Sequence, residues 1–156
     1  MTMQQPILDV RNLQTHFFTS KGVAKAVDDV SFQLYPGEIL GLVGESGSGK
    51  SMTGFSILGL IDAPGKIVGG QILFKGQDLL AMEAERLRRL RGNRVAMIFQ
   101  DPMMTLNPVL RIDTQMIETL QAHQDISHAA AYDRALEVLG EVGIPSPAER
   151  LRAYPH

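Results

Sequence analysis

The stretch Gly44-Glu45-Ser46-Gly47-Ser48-Gly49-Lys50-Ser51 constrains this chain more than any other feature of its sequence. It satisfies the spacing G-x-x-x-x-G-K-[S/T] at every position. With glycine at about 7% of residues and ordinary lysine and serine usage, chance produces that spacing in roughly 0.5% of chains of this length. The residue types also make chemical sense together. Glycines reach backbone angles closed to other residues and let the main chain approach a ligand with no Cβ in the way. Successive backbone N–H groups can then converge on one concavity that suits an anion. A helix beginning at Lys50 adds unpaired N–H groups and the positive end of its dipole at the same place. The Lys50 ammonium can reach the β- and γ-phosphates of a nucleotide, and the Ser51 hydroxyl can ligate Mg²⁺.

The flanking sequence predicts a strand–loop–helix unit around that loop. Ile39 to Val43 is an apolar run interrupted only by Gly41, the pattern of a strand buried on both faces. Lys50 to Leu60 has helical character and stops before Pro64-Gly65. Upstream, Ile7 to Val10 reads as a short strand and Gly22 as a turn. Val30, Phe32 and Leu34 alternate with Ser31 and Gln33, a half-buried strand, and Pro36-Gly37 signals a turn. Downstream, Gln71 to Phe74 is a strand opened by Gly69-Gly70. Ala84 to Arg91 is a short basic helix, and Val95 to Phe99 a second buried apolar run. Asp101 to Pro108 is a loop. Thr114 to His123 is a helix, and Ser127 can cap another that runs to Val142, where Gly143 and Pro145 stop it. In that helix Tyr132, Leu136 and Leu139 form one stripe, with Ala135, Val138 and Val142 beside it. The order predicts an α/β core followed by a helical subdomain.

Composition narrows the function classes. The net charge is -2, from 15 basic and 17 acidic residues, so no bulk positive charge is present to hold nucleic acid. Cysteine is absent, which excludes a disulfide scaffold, a zinc-thiolate site and a cysteine nucleophile from these residues. No apolar run approaches the ~20 residues that span a bilayer. Met1 to Pro6 is polar, without the cationic start and apolar core of a secretory leader.

Three motifs together carry a family resemblance. Ala26-Val27-Asp28-Asp29-Val30-Ser31-Phe32 through Gly37-Glu38, then the phosphate loop, resembles the start of an ATP-binding-cassette ATPase. Ala96-Met97-Ile98-Phe99-Gln100-Asp101-Pro102 resembles that family's Q-loop. Met103-Met104-Thr105-Leu106-Asn107-Pro108, with Leu58-Gly59-Leu60-Ile61 and Gly76-Gln77-Asp78-Leu79, is closer to one branch. That branch comprises the ATP-binding subunits of dipeptide and oligopeptide permeases and their nickel and glutathione relatives.

The resemblance implies a P-loop NTPase of the ABC-ATPase type with an N-terminal antiparallel β subdomain and the beginning of a helical subdomain. It divides the chain into an ATP-binding core over 1–108 and a partial helical subdomain over 109–156. Its cofactors are ATP and Mg²⁺. The nucleotide would be held by Gly44, Ser46, Gly47, Ser48, Gly49, Lys50, Ser51 and Met52, and Lys50 and Gln100 would serve catalysis. Gln100 would join Ser51 at Mg²⁺ and contact the attacking water. Phe17 falls where the family stacks an aromatic ring on adenine, and its neighbour Phe18 competes for that role. The implied partners are transmembrane permease subunits, faced by Met103 to Asn107 and the helices after them, and a second ATP-binding subunit. Nucleic acid is not among them. The implied location is peripheral, on the cytoplasmic face of the membrane.

One departure qualifies the implied activity. Family members follow a Tyr-Pro-His like Tyr154-Pro155-His156 with Leu-Ser-Gly-Gly, and these 156 residues contain no such motif. The acidic Mg²⁺ strand, its glutamate and the switch histidine are likewise missing. The first expectation is therefore a subunit fragment that binds nucleotide weakly at best and does not turn it over. The alternative is a non-catalytic nucleotide-binding or docking module. An unpaired edge on the parallel sheet would make such a chain marginal or aggregation-prone. Among the remaining features, the run Arg86 to Arg91 with Arg94 reads as a solvated helix face. Asp28-Asp29 reads as a turn pair, and His16, His123, His128 and His156 lack metal-ligand spacing.

Overall fold

The computed structural model describes residues 5–101 and 105–156 and divides them into two compact units, Met1–Met97 and Ile98–His156. Each is described separately.

The first unit is built on a four-stranded antiparallel sheet in the order β2-β1-β3-β4. β1 (Leu8–Thr19) and β2 (Gly22–Leu34) form one long hairpin, which closes with Thr19 paired to Gly22 at φ +124°. Both strands are much longer than the sequence pattern predicts, because irregularities break the period of two. The register shifts between Val10 and Leu13 and again on either side of Thr15. Asp28-Asp29 lies inside β2 at one of these irregularities and is not a turn pair. Asp29 adopts φ +58°, and its carboxylate accepts a 2.7 Å hydrogen bond from the Asn12 side-chain amide, itself at φ +47°. An Asx pair of this kind can hold left-handed backbone that most residues avoid.

β3 (Gly65–Phe74) pairs with β1, and the two-residue β4 (Gln77–Asp78) closes the edge. Val10, Leu13, Val27, Ile72 and Leu79 form the buried core. α1 (Lys50–Leu58) packs on it through Met52 and Ile57. Fully burying a side chain such as Leu13 stabilises by roughly 1.5–3 kcal/mol, so each fully buried member of this core contributes on that scale. α2 (Ala84–Leu90) contributes Leu87 and Leu90.

Two expected strands are not formed. Ile39 to Val43 is irregular, with Ile39 98% and Val43 90% exposed, and Val95 to Phe99 is likewise not a strand, Val95 forming an isolated bridge with Arg91. A strand apolar on both faces needs a neighbour on each edge to satisfy its N–H and C=O groups. Among the described residues no strand pairs with either segment. Apolar composition alone therefore does not make them strands.

The second unit is helical: α3 (Ile112–His123), α4 (His128–Glu141) and α5 (Pro147–Arg152). Ser127 caps α4 as expected, its hydroxyl accepting from the Ala130 N–H at 3.2 Å. Within α4, Ala131 and Ala135 are the fully buried positions, whereas Val142, expected beside the apolar stripe, is exposed. Small side chains one turn apart let neighbouring helices approach, and Ile117 and Leu151 are buried in the same unit. Gln115 ties the preceding loop to α3. Its side chain donates to the carbonyls of Asn107 and Leu110 and accepts from the Asn107 N–H. Of the loop over Met103 to Asn107, Met103 and Met104 lie outside the described residues, as does Pro102.

Candidate functional site: the phosphate loop

Gly49 turns the chain into α1. Its φ of +92° is closed to most side chains, and a Cβ there would stand 2.1 Å from the Ala26 carbonyl oxygen. The loop is thus pressed onto β2 at the residue before buried Val27. Gly49 also accepts the first helical hydrogen bond, from the Thr53 N–H at 2.9 Å, and a second from the Thr53 hydroxyl at 3.0 Å. The amides of Lys50, Ser51 and Met52 precede that bond and have no intrahelical acceptor. The loop side is open: Gly44 to Ser48 is exposed, as is Ser51 in the first turn, while Gly49 is half-buried.

Lys50 folds back over the loop. Its ammonium donates to the carbonyls of Gly44 at 2.8 Å and Glu45 at 2.6 Å, and to the Ser48 hydroxyl at 3.3 Å. The cation therefore sits against the loop, next to three unpaired helix amides. A Cβ at Gly44 would meet the Ser48 Oγ at 2.7 Å, so that corner is narrow. Donors of one sign converge here with an exposed hydroxyl at Ser51. This donor set fits a phosphate chain, with Ser51 as the oxygen ligand offered to Mg²⁺.

Two anchors hold α1. The Ser56 hydroxyl donates to the Met52 carbonyl at 2.7 Å and lies 2.7 Å from the Thr15 hydroxyl, both side chains being completely buried. Because the single Ser56 proton goes to Met52, Thr15 is the donor to Ser56. At the other end Arg91 donates to the carbonyls of Leu58 at 2.6 Å and Gly59 at 2.8 Å. Sequence reasoning missed both anchors.

Strand alternation sets Phe17 on the face of Thr15, towards α1, and Phe18 on the opposite one. The Phe17 ring lies over Gly65, where a Cβ would come within 2.7 Å of it, and Phe18 is about half exposed. Gln100 lies in an exposed bend of the second unit. Among the described residues no group of three His, Asp or Glu side chains is placed to hold a metal ion.

Comparison with known proteins decides the family. The ABC transporter family model matches residues 27–155. This chain belongs to the ABC transporter family. The cassette is 48% identical over 151 residues to a probable peptide ABC transporter ATP-binding protein of Sinorhizobium fredii, covering 96% of this chain and 45% of that protein. It is 48% identical over 150 residues to the dipeptide transport ATP-binding protein DppD of Haemophilus influenzae, covering 96% of this chain and 46% of that one. The chain thus spans about half the length of the curated relatives it matches. Among solved structures, the dimeric bacterial ABC transporter cassette MJ0796 superposes with a TM-score of 0.80 at 21% identity. That match covers 95% of this chain and 61% of the other. A second structure of the same cassette, in a post-hydrolysis state bound to ADP and Pi, gives 0.81 at the same identity and coverage. The fold is therefore the P-loop NTPase fold of ABC type, of which the cassette carries the antiparallel β subdomain and helices.

Proposed function

We propose that this chain is the phosphate-binding half of the ATP-binding subunit of an importer for peptides or a similar small solute. The observation that carries the proposal is the loop itself. The Lys50 ammonium lies on the Gly44 and Glu45 carbonyls at the start of α1, whose first turn also carries the exposed Ser51. Relatives named for peptide import, at close to half identity over nearly the whole chain, support the solute class.

In this proposal Lys50 swings from the Gly44 and Glu45 carbonyls onto the β- and γ-phosphates. The amides from Gly47 through Met52 hold the phosphate oxygens, with Ser46 and Ser48 lining the loop. Phe17 or Phe18 would stack on the base, Ser51 would offer its hydroxyl to Mg²⁺, and Gln100 keeps the Mg²⁺ and water role that the family resemblance implies. Mg²⁺, when bound, neutralises charge on the phosphates undergoing transfer. The ATP-binding core over 1–108 and the partial helical subdomain over 109–156 also belong to the proposal. So do its permease and second-subunit partners and its peripheral place on the cytoplasmic face of the membrane. No helix among the described residues is long and apolar enough to cross a membrane. The 156 residues alone bind nucleotide and do not turn it over, because no residue in them matches the motifs that complete the reaction.

Co-expression with the integral membrane subunits of a dipeptide permease tests the proposal. Co-purification with those subunits, and MgATP binding lost in Lys50→Ala, are expected. Saturable MgATP binding without any capture would favour a non-catalytic nucleotide-binding module. Neither capture nor binding by folded protein would contradict both.

A further inference from the structure

The geometry points to Arg91 as a positioning residue for the phosphate loop, acting through the opposite end of α1. This rests on the nucleotide-binding role of the loop proposed above. α1 has only nine residues, about 13 Å of helix at 1.5 Å per residue, so its two ends move as one body. Its last carbonyls have no intrahelical donor and carry the negative end of the helix dipole. The Arg91 guanidinium fills both needs. Its Nε donates to the Leu58 carbonyl at 2.6 Å and its Nη2 to the Gly59 carbonyl at 2.8 Å.

The receiving surface is shaped for that group. Gly59 adopts φ +62°, and a Cβ there would lie 2.8 Å from Nη2 and 3.2 Å from the Leu87 side chain. Arg91 is itself held. Its N–H donates to the Leu87 carbonyl at 3.1 Å, and the turn after α2 is closed by bonds from Gly92 to Val95 and from Arg94 and Val95 to Leu90. The other arginines of the run behave as a solvated face. Arg88 and Arg89 pair with Glu85, and Arg86 donates to the Gln77 side chain. Arg91 differs from them by reaching across 33 residues of sequence to a partly buried carbonyl.

The test is backbone amide hydrogen exchange in the ligand-free chain, followed by MgATP titration, for wild type, Arg91→Ala and Arg91→Lys. In Arg91→Ala the Thr53 amide, which closes the first turn onto Gly49, should exchange about tenfold faster, the scale of losing one charged hydrogen bond. Amides of the β1–β3 ladder should be unchanged. Arg91→Lys keeps the charge but serves one carbonyl at a time, so it should fall between the two, and it carries the comparison if Arg91→Ala fails to fold. MgATP affinity should fall in the same order, while affinity for adenosine, which makes no phosphate contact, should not. Unchanged Thr53 exchange in both variants would overturn the inference. So would equal acceleration across the β1–β3 ladder, which would mark Arg91 as merely structural. A wild-type chain that fails to bind MgATP would sink the proposed function instead, and the exchange data would still decide the role of Arg91.

Discussion

Gly49 lies against the Ala26 carbonyl so closely that a methyl group in place of its hydrogen would stand 2.1 Å from the oxygen. The partner is backbone and cannot rotate away, and the φ of +92° adds strain for any side chain. Gly49→Ala should therefore lift the loop from β2. Urea unfolding should show a loss of about 1–3 kcal/mol, the usual scale for one strained residue. Ser48→Ala, at an exposed position in the same loop, should stay within about 0.5 kcal/mol of wild type.

The buried hydroxyl relay from Thr15 to Ser56 to Met52 makes an ordered pair of predictions. Ser56→Ala strands the Thr15 hydroxyl in a fully buried place and should cost about 1–3 kcal/mol. Thr15→Val removes a donor and leaves Ser56 with its proton still bonded to Met52, so it should cost less. The double variant should be less destabilised than the sum of the singles, as a double-mutant cycle by chemical denaturation would register.

Asp9 sets the acid side of stability. Arg11 donates twice to one carboxylate oxygen, at 2.9 and 2.6 Å, and holds the Asp9 carboxyl below its ordinary value against the opposing push of burial. A carboxyl depressed in the folded state contributes stability above its unfolded value of about 3.9, and that contribution drains away as pH falls through the lower folded value. Wild-type Tm should drop as pH falls below about 4, and Asp9→Asn should flatten the drop. Glu85, lowered to about 2 by Arg88 and Arg89, lies on a solvent-exposed helix face, and Glu85→Gln should leave the profile nearly unchanged.

The exposed segments should make the chain prone to association. Ile39 and Ile98 each stand 98% exposed, on segments that join no sheet among the described residues. Dilute protein should bind a hydrophobic dye and lose solubility with concentration, and Ile39→Lys with Ile98→Lys should reduce both. A sharp, concentration-independent thermal transition without dye binding would contradict this.

The local shape of the loop was legible because neighbouring residues set it: Gly49 takes a positive φ and α1 starts at Lys50, as the sequence implies. Several of the failures involve distant partners. Ile39–Val43 and Val95–Phe99 have the composition of buried strands, but a ladder needs a neighbour that composition does not supply. Thr15–Ser56 and Arg91–Leu58 join residues 41 and 33 apart, and no pattern within a window reveals them. The long β1 and β2 were hidden by irregularities at Asn12 and Asp29 that interrupt strict alternation. α5 was missed because its six residues are too few to show a helical period.

Calorimetric titration of the folded chain with MgATP, beside Lys50→Ala, tests the central claim most directly. The Lys50 ammonium contributes charged hydrogen bonds to phosphate, so its loss should weaken binding at least about tenfold. Saturable binding by the wild type that is weakened to that degree in Lys50→Ala is the predicted result. Equal binding by both proteins, or none by a folded wild-type chain, would contradict it.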